Sequence, residues 1–123
     1  MSSEQQEIHV QILRTCARFD ENYWLERDRN AGFLHDLHRA MADDGWLGIA
    51  MPEAVGGPGL GITEATVMMQ AIAETEAGAS GASTIHMNIF WLNPVVKFGT
   101  DKQRARMLGP LIAGDEKACF VMT

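Results

Sequence analysis

The stretch from Asp44 to Gly61 (DGWLGIAMPEAVGGPGLG) carries six glycines and two prolines in a chain that otherwise favours helix. Glycine and proline interrupt regular structure, so this segment separates the helices before it from those after it. A solvated linker would be rich in Ser and charge. Here Trp46, Leu47, Ile49, Met51 and Leu60 are interleaved with the turn formers, and side chains of that size gain by leaving water. The sequence predicts a loop packed against a core.

Two ligand-binding readings of the loop fail on single residues. Gly56 and Gly61 have the GxxxxG spacing of a phosphate loop, but Ile62 stands where the phosphate-binding Lys belongs. A dinucleotide fingerprint starting at Gly57 and Gly59 would need Gly or Ala at that same position. A tightly turning structural loop is the reading that remains.

On the N-terminal side, Ile8, Ile12, Cys16 and Phe19 recur at helical spacing between about Glu4 and Asp20. Leu34, Leu37, Ala40 and Met41 repeat the pattern, and Gly45 suits the left-handed residue that closes a helix. Beyond the loop, Thr63 is the expected N-cap of a largely apolar helix that meets no breaker before Gly78. The small-residue run 78–83 reads equally as a loop or a helix start. From Ser83 to Phe98 apolar residues surround a helix on every side, which predicts a central element bent by Pro94. Gly99 ends it, Thr100 and Gln103 form a capping box for the next helix, and Pro110 is expected to divide that last helix before Gly114. Cys119 to Met122 form a short β-prone run with nothing else in the chain to pair with. The chain therefore reads as stopping at the threshold of a β-rich domain.

Composition bounds the function. A chain of 123 residues, 46% hydrophobic and 21% charged, is the size of one globular unit. A net charge of -6 with scattered Lys and Arg argues against a nucleic-acid partner. Cys16 and Cys119 form no CxxC and suggest a reducing compartment. The acidic, polar start resembles neither a secretory signal nor a transit peptide, and the stretch 85–98 is too short and polar for a membrane span. A cytoplasmic location with no membrane span is the expectation.

Few residues offer chemistry. His35 and His38 share a helix face, but no second ligand pair follows, so a solvated surface is expected and no metal. Glu74 and Glu76 face different directions and read as surface charges. Ser80 and Ser83 lack a GxSxG context. His86, Asn88 and Asn93 sit among apolar neighbours, where each is either a satisfied structural hydrogen bond or part of a pocket wall.

These local patterns coincide with one family. The run Gly45-Trp46-Leu47-Gly48-Ile49-Ala50-Met51-Pro52-Glu53, then Gly56-Gly57 and Gly59-Leu60-Gly61, resembles an element of the acyl-CoA dehydrogenases. So do Phe98-Gly99-Thr100 with Gln103, Leu108-Gly109-Pro110-Leu111 with Gly114, and the run from Ala118 to Thr123, which in that family leads into a Thr-Glu-Pro flavin-binding segment. The resemblance spans nearly the whole chain. It implies an all-α N-terminal helical domain over residues 1–116, with 117–123 as the first strand of a truncated β-barrel domain and a helical bundle beyond.

It also implies a flavoprotein in which FAD takes hydride from the β-carbon of an acyl-CoA thioester while a Glu of the C-terminal bundle removes the α-proton. Carried onto this sequence, Phe120, Met122 and Thr123 are the flavin-binding residues. Ala82, Ser83, His86, Met87 and Phe90 fall on the helix that forms the acyl-pocket wall. Acyl-CoA as substrate, electron-transfer flavoprotein as electron acceptor and a homo-oligomeric full-length enzyme follow from the same resemblance. The catalytic Glu is absent, so this polypeptide alone is expected to be inactive. Competing readings are a piece of an acyl-CoA oxidase or flavin monooxygenase of the same fold, and a non-catalytic helical interaction module.

Overall fold

The computed structural model describes residues 1–119 and 121–123. Among them the chain is helical: α1 Ser3–Cys16, α2 Glu21–Asn30, α3 His35–Asp43, α4 Ile62–Ala73, α5 Gly78–Phe90, α6 Asn93–Phe98 and α7 Asp101–Ile112. Short 3-10 turns at Trp46–Gly48 and Glu53–Val55 shape the loop between α3 and α4.

The centre is a layer of α1, α4 and α5, with α3 beside it. Helix α1 starts with reciprocal capping: the Ser2 hydroxyl accepts from the Gln5 amide, and the Gln5 side chain accepts from the Ser2 amide. It then buries Ile8, Ile12 and Cys16 against Ala65, Met68 and Ile72 of α4, in one cluster with Leu37, Met41, Leu47, Ile49, Ile85 and Ile89. Each such aliphatic side chain contributes roughly 1.5–3 kcal/mol. Two polar contacts hold α1 on α4 from outside: Gln5 Nε2 donates to Glu64 Oε1 at 3.0 Å, and His9 Nε2 lies 2.7 Å from Glu74 Oε2. These hydrogen bonds, with Gln5 and Gln70 the leading donors, hold both carboxyls below the usual carboxylate range.

Helix α2 is an element that apolar periodicity misses, because none of its residues is buried. Asp20 caps it by accepting from the Tyr23 amide at 2.9 Å. An aromatic cluster ties it down, with Phe19 and Tyr23 ring centroids 4.8 Å apart and Tyr23 and Trp24 4.9 Å apart.

Three helix boundaries differ from expectation. Helix α4 begins one residue before Thr63, with Gly61 as N-cap, because Glu64 Oε2 reaches back to accept the Gly61 amide at 3.0 Å. The helix expected over 83–98 breaks at Trp91 and Leu92, and Pro94 falls in the first turn of α6, where a proline has no hydrogen bond to lose. Pro110 does not divide α7, which runs through it with Leu108 and Leu111 buried on either side. The Thr100–Gln103 capping box and the left-handed Gly45 form as the sequence predicts.

No strand forms among the described residues. Lys117–Cys119 and 121–123 are irregular, since a strand exists only where a second one supplies its hydrogen bonds. No helix among them is long and apolar enough to cross a membrane.

Candidate functional site

The glycine-rich loop does not present its amides to a ligand. The Gly56 amide donates to Glu53 O, Gly57 to Pro52 O and Gly59 to Met51 O. A phosphate cradle needs those N–H groups free. Gly56 is left-handed at φ 94°, and a Cβ on Gly57 would stand 2.2 Å from the Met51 carbonyl oxygen. The turn and the close approach both need glycine. Leu47, Ile49 and Met51 go inward as expected, Met51 into a smaller cluster with Leu108 and Leu111.

Helix α5 divides its surface in two. Gly81, Thr84, Ile85, Asn88 and Ile89 are buried against the core. The residues proposed from resemblance as an acyl wall lie elsewhere on the helix: Ser83 and His86 are exposed, and Ala82, Met87 and Phe90 are half-buried. The His86 and Phe90 rings pack with centroids 4.9 Å apart. The expectation that α5 is buried all round is thus corrected, because its neighbours here cover only part of its circumference. Asn93 is also exposed. Phe90 lines a groove of about 310 Å³ with Met51, Leu60, Ile89 and Val96. A larger hollow of about 720 Å³, between α2 and the start of α5, contains none of the five.

Asn88 is the buried polar residue of this helix, 1% exposed. Its Nδ2 donates to Thr84 O at 3.0 Å and its Oδ1 accepts the Ala118 amide at 3.3 Å. Of the two readings left open, the satisfied structural hydrogen bond is the one realised. The C-terminal segment is held at further points. Arg39 donates to Ala113 O and Gly114 O at 3.1 and 3.0 Å, closing the end of α7. Lys117 Nζ lies 5.2 Å from the centroid of the Phe33 ring.

Cys119 is exposed. Met122 is 82% exposed, and Val121 and Thr123 are exposed as well. Among the described residues, the amides of 121–123 donate to no protein acceptor. Phe120, the third residue assigned to the flavin, lies outside the described residues.

His38 overturns the expectation of a solvated helix face. It is 2% exposed, and its Nε2 is buried without a hydrogen-bond partner among the described residues. Burial, followed by the charges of Lys117, Arg39 and His35, lowers its pKa to about 4. The signal in the sequence was weak, because Gly114 and Lys117, which lie near the ring, are far along the chain. No group of His, Cys, Asp and Glu among the described residues could hold a metal ion.

The family profile described as "Acyl-CoA dehydrogenase, N-terminal domain" matches residues 2–115. The 3-(aryl)acrylate reductase of Clostridium sporogenes is 30% identical over 98% of this chain and 32% of its own. The human mitochondrial short-chain specific acyl-CoA dehydrogenase is 28% identical over 99% of this chain and 30% of its own. The chain therefore spans about a third of the length of the curated relatives it matches. A solved chain from work on the electron transferring flavoprotein of Acidaminococcus fermentans superposes with a TM-score of 0.82 at 24% identity, over 93% of this chain and 30% of that one. That likeness shows the fold.

Proposed function

The chain belongs to the acyl-CoA dehydrogenase family, and from that premise we propose that it is the N-terminal helical domain of an FAD-dependent enzyme that desaturates acyl-CoA thioesters. FAD, when bound, supplies the hydride acceptor for the β-carbon. The observation that carries the reading within this chain is that α5 leaves Ser83, His86, Met87 and Phe90 partly or fully open, while the amides of 121–123 find no acceptor among the described residues.

These residues fit the two halves of such a site. The open face of α5 offers shape and apolar contact to an acyl chain, with the His86–Phe90 pair as its aromatic part. Met122 and Thr123 offer backbone groups unpaired among the described residues, and a hydroxyl, the kind of donors and acceptors that the edge of a flavin ring requires. Phe120 is assigned to the same edge. We place the proton-abstracting carboxylate outside these 123 residues, as the family resemblance implies. Residues 117–123 then enter a β domain, an electron-transfer flavoprotein takes the electrons, and the whole enzyme is a cytoplasmic homo-oligomer.

A second reading has one observation in its favour. The relative from Clostridium sporogenes is named as a reductase of 3-(aryl)acrylates, so the same carbon–carbon bond could be reduced here instead of oxidised. Acyl-CoA turnover with an artificial electron acceptor, set against acrylate turnover with reduced flavin, separates the two directions.

The purified chain alone is expected to show no thioester dehydrogenation in an FAD titration. Stoichiometric FAD binding with turnover would sink that part of the proposal. In the whole enzyme, His86→Leu and Phe90→Ala should move KM for acyl-CoA several-fold at constant FAD content. An unchanged KM in both variants would remove α5 from the acyl wall.

A further inference from the structure

We infer that Asn88 is a positioning residue that carries the placement of α5 into the placement of the segment after Ala118. The inference rests on the reading above for what the two ends bind, and on the geometry here for how they are joined. Asn88 spans 30 residues of sequence with one side-chain amide. Its two partners fix the orientation of that amide, since Thr84 O can only accept and the Ala118 N–H can only donate. Thr84 is itself held, its Oγ1 donating to Ser80 O at 2.9 Å. The linkage therefore begins on the regular hydrogen-bond frame of α5 and ends on the backbone three residues before Val121.

The surrounding contacts make Asn88 the point where this coupling is set. Arg39 grips the two carbonyls at the end of α7. A Cβ on Gly114 would stand 2.5 Å from Ala42 Cβ, so the chain crosses α3 in close contact. Both of these contacts belong to α3. Asp115 and Glu116 then stay on α7, their amides donating to Pro110 O at 2.9 and 3.2 Å. Ala118 is the first backbone position beyond these that is tied to α5, and Asn88 is what ties it to the helix bearing Ser83, His86, Met87 and Phe90. A shift of α5 on filling its open face is thereby passed to the segment assigned to the flavin. Asn88 itself touches neither ligand, being buried on the opposite side of the helix.

Amide hydrogen exchange of the chain, read at Ala118, tests the linkage. Asn88→Ala should speed exchange at Ala118 by about tenfold or more while amides of α1 and α4 keep their protection, as expected when one buried bond is lost without global unfolding. Asn88→Asp is the diagnostic variant. Its carboxylate can still accept the Ala118 N–H but has no proton to donate to Thr84 O, so Ala118 protection should stay within about threefold of native and well above that of Asn88→Ala. The native chain is the reference, and Asn88→Leu keeps the test available if the smaller side chain fails to fold. Ala118 protection within twofold of native in Asn88→Ala overturns the proposal. So does Ala118 protection in Asn88→Asp as low as that of Asn88→Ala.

An FAD titration of the whole enzyme reads the other end. Asn88→Ala should shift the bound flavin absorption band and weaken FAD binding several-fold, and a native flavin signature together with lost Ala118 protection overturns the coupling. If the native enzyme binds no FAD while Ala118 behaves as described, the flavin reading of the preceding section falls and the linkage stands.

Discussion

Leu47, Ile49 and Met51 lie in the most glycine-rich part of the chain and are buried, whereas Val121 and Met122, in an apolar run without glycine, stand exposed. The difference lies in the backbone. In the loop, the amides of Gly56, Gly57 and Gly59 turn back onto carbonyls of Glu53, Pro52 and Met51, so the segment can leave water with its polar groups satisfied. The amides of 121–123 have no such partner within the described residues, and burying them unpaired would cost more than their side chains return. Apolar content decides what gains from burial, and hydrogen-bond closure decides what can be buried.

The comparison can be broken most easily at its buried end. Leu47→Ala should cost about 4 kcal/mol in urea unfolding, since it removes a fully buried side chain from the main cluster. A cost below about 1 kcal/mol would mean that the loop is not part of the core. Next in size is a pH effect at His38 of α3, whose ring carbon would stand 3.5 Å from a Cβ on Gly114. Its folded pKa of about 4 sits below the unfolded value near 6.5, so above that range the residue is neutral in both states and the stability is fully present. As pH falls from about 6.5 to 4 the unfolded chain takes up the proton first, and about 3 kcal/mol should be lost before the effect levels off. His38→Leu should flatten that slope, and an unchanged slope would assign it to other groups.

Gly57→Ala comes third, at about 2 kcal/mol, because its Cβ meets the Met51 carbonyl, which cannot yield as a flexible side chain would. A thermal melt within a degree of the native chain would show that the loop has room there. Met122→Ser closes the series, with a change below about 0.5 kcal/mol in the same unfolding experiment. A loss above about 1 kcal/mol would reveal that something covers the segment.

Much of the helical frame was legible because its signals are local. Ile8, Ile12 and Cys16 state a helix face within nine residues, and Thr100 with Gln103 states a helix start within four. Helix α2 was not legible, since its stability comes from rings that meet side by side and not from an apolar stripe. Thr63 is a sound cap by residue type, but the reach of the Glu64 side chain to Gly61 decided the boundary. At the candidate site the residues of α5 could be named, yet which of them face outward depends on α4 and α3. The role of Asn88 was beyond reach for a stronger reason: its partner is the amide of Ala118, and a backbone amide carries no residue-type signal at all.

The packing of α1 on α4 also orders events in time. The side chains of Ile8, Ile12 and Cys16 find their partners on α4, and the polar staples of that contact join residues 59 and 65 positions apart. On a ribosome, α1 leaves the exit tunnel before its partner and must wait for α2, α3, the loop and α4 to follow. Synthesis at about 5–20 residues per second makes that delay several seconds. For that interval α1 is an amphipathic segment with an unoccupied apolar face, so its docking is set by the arrival of a helix made well after it.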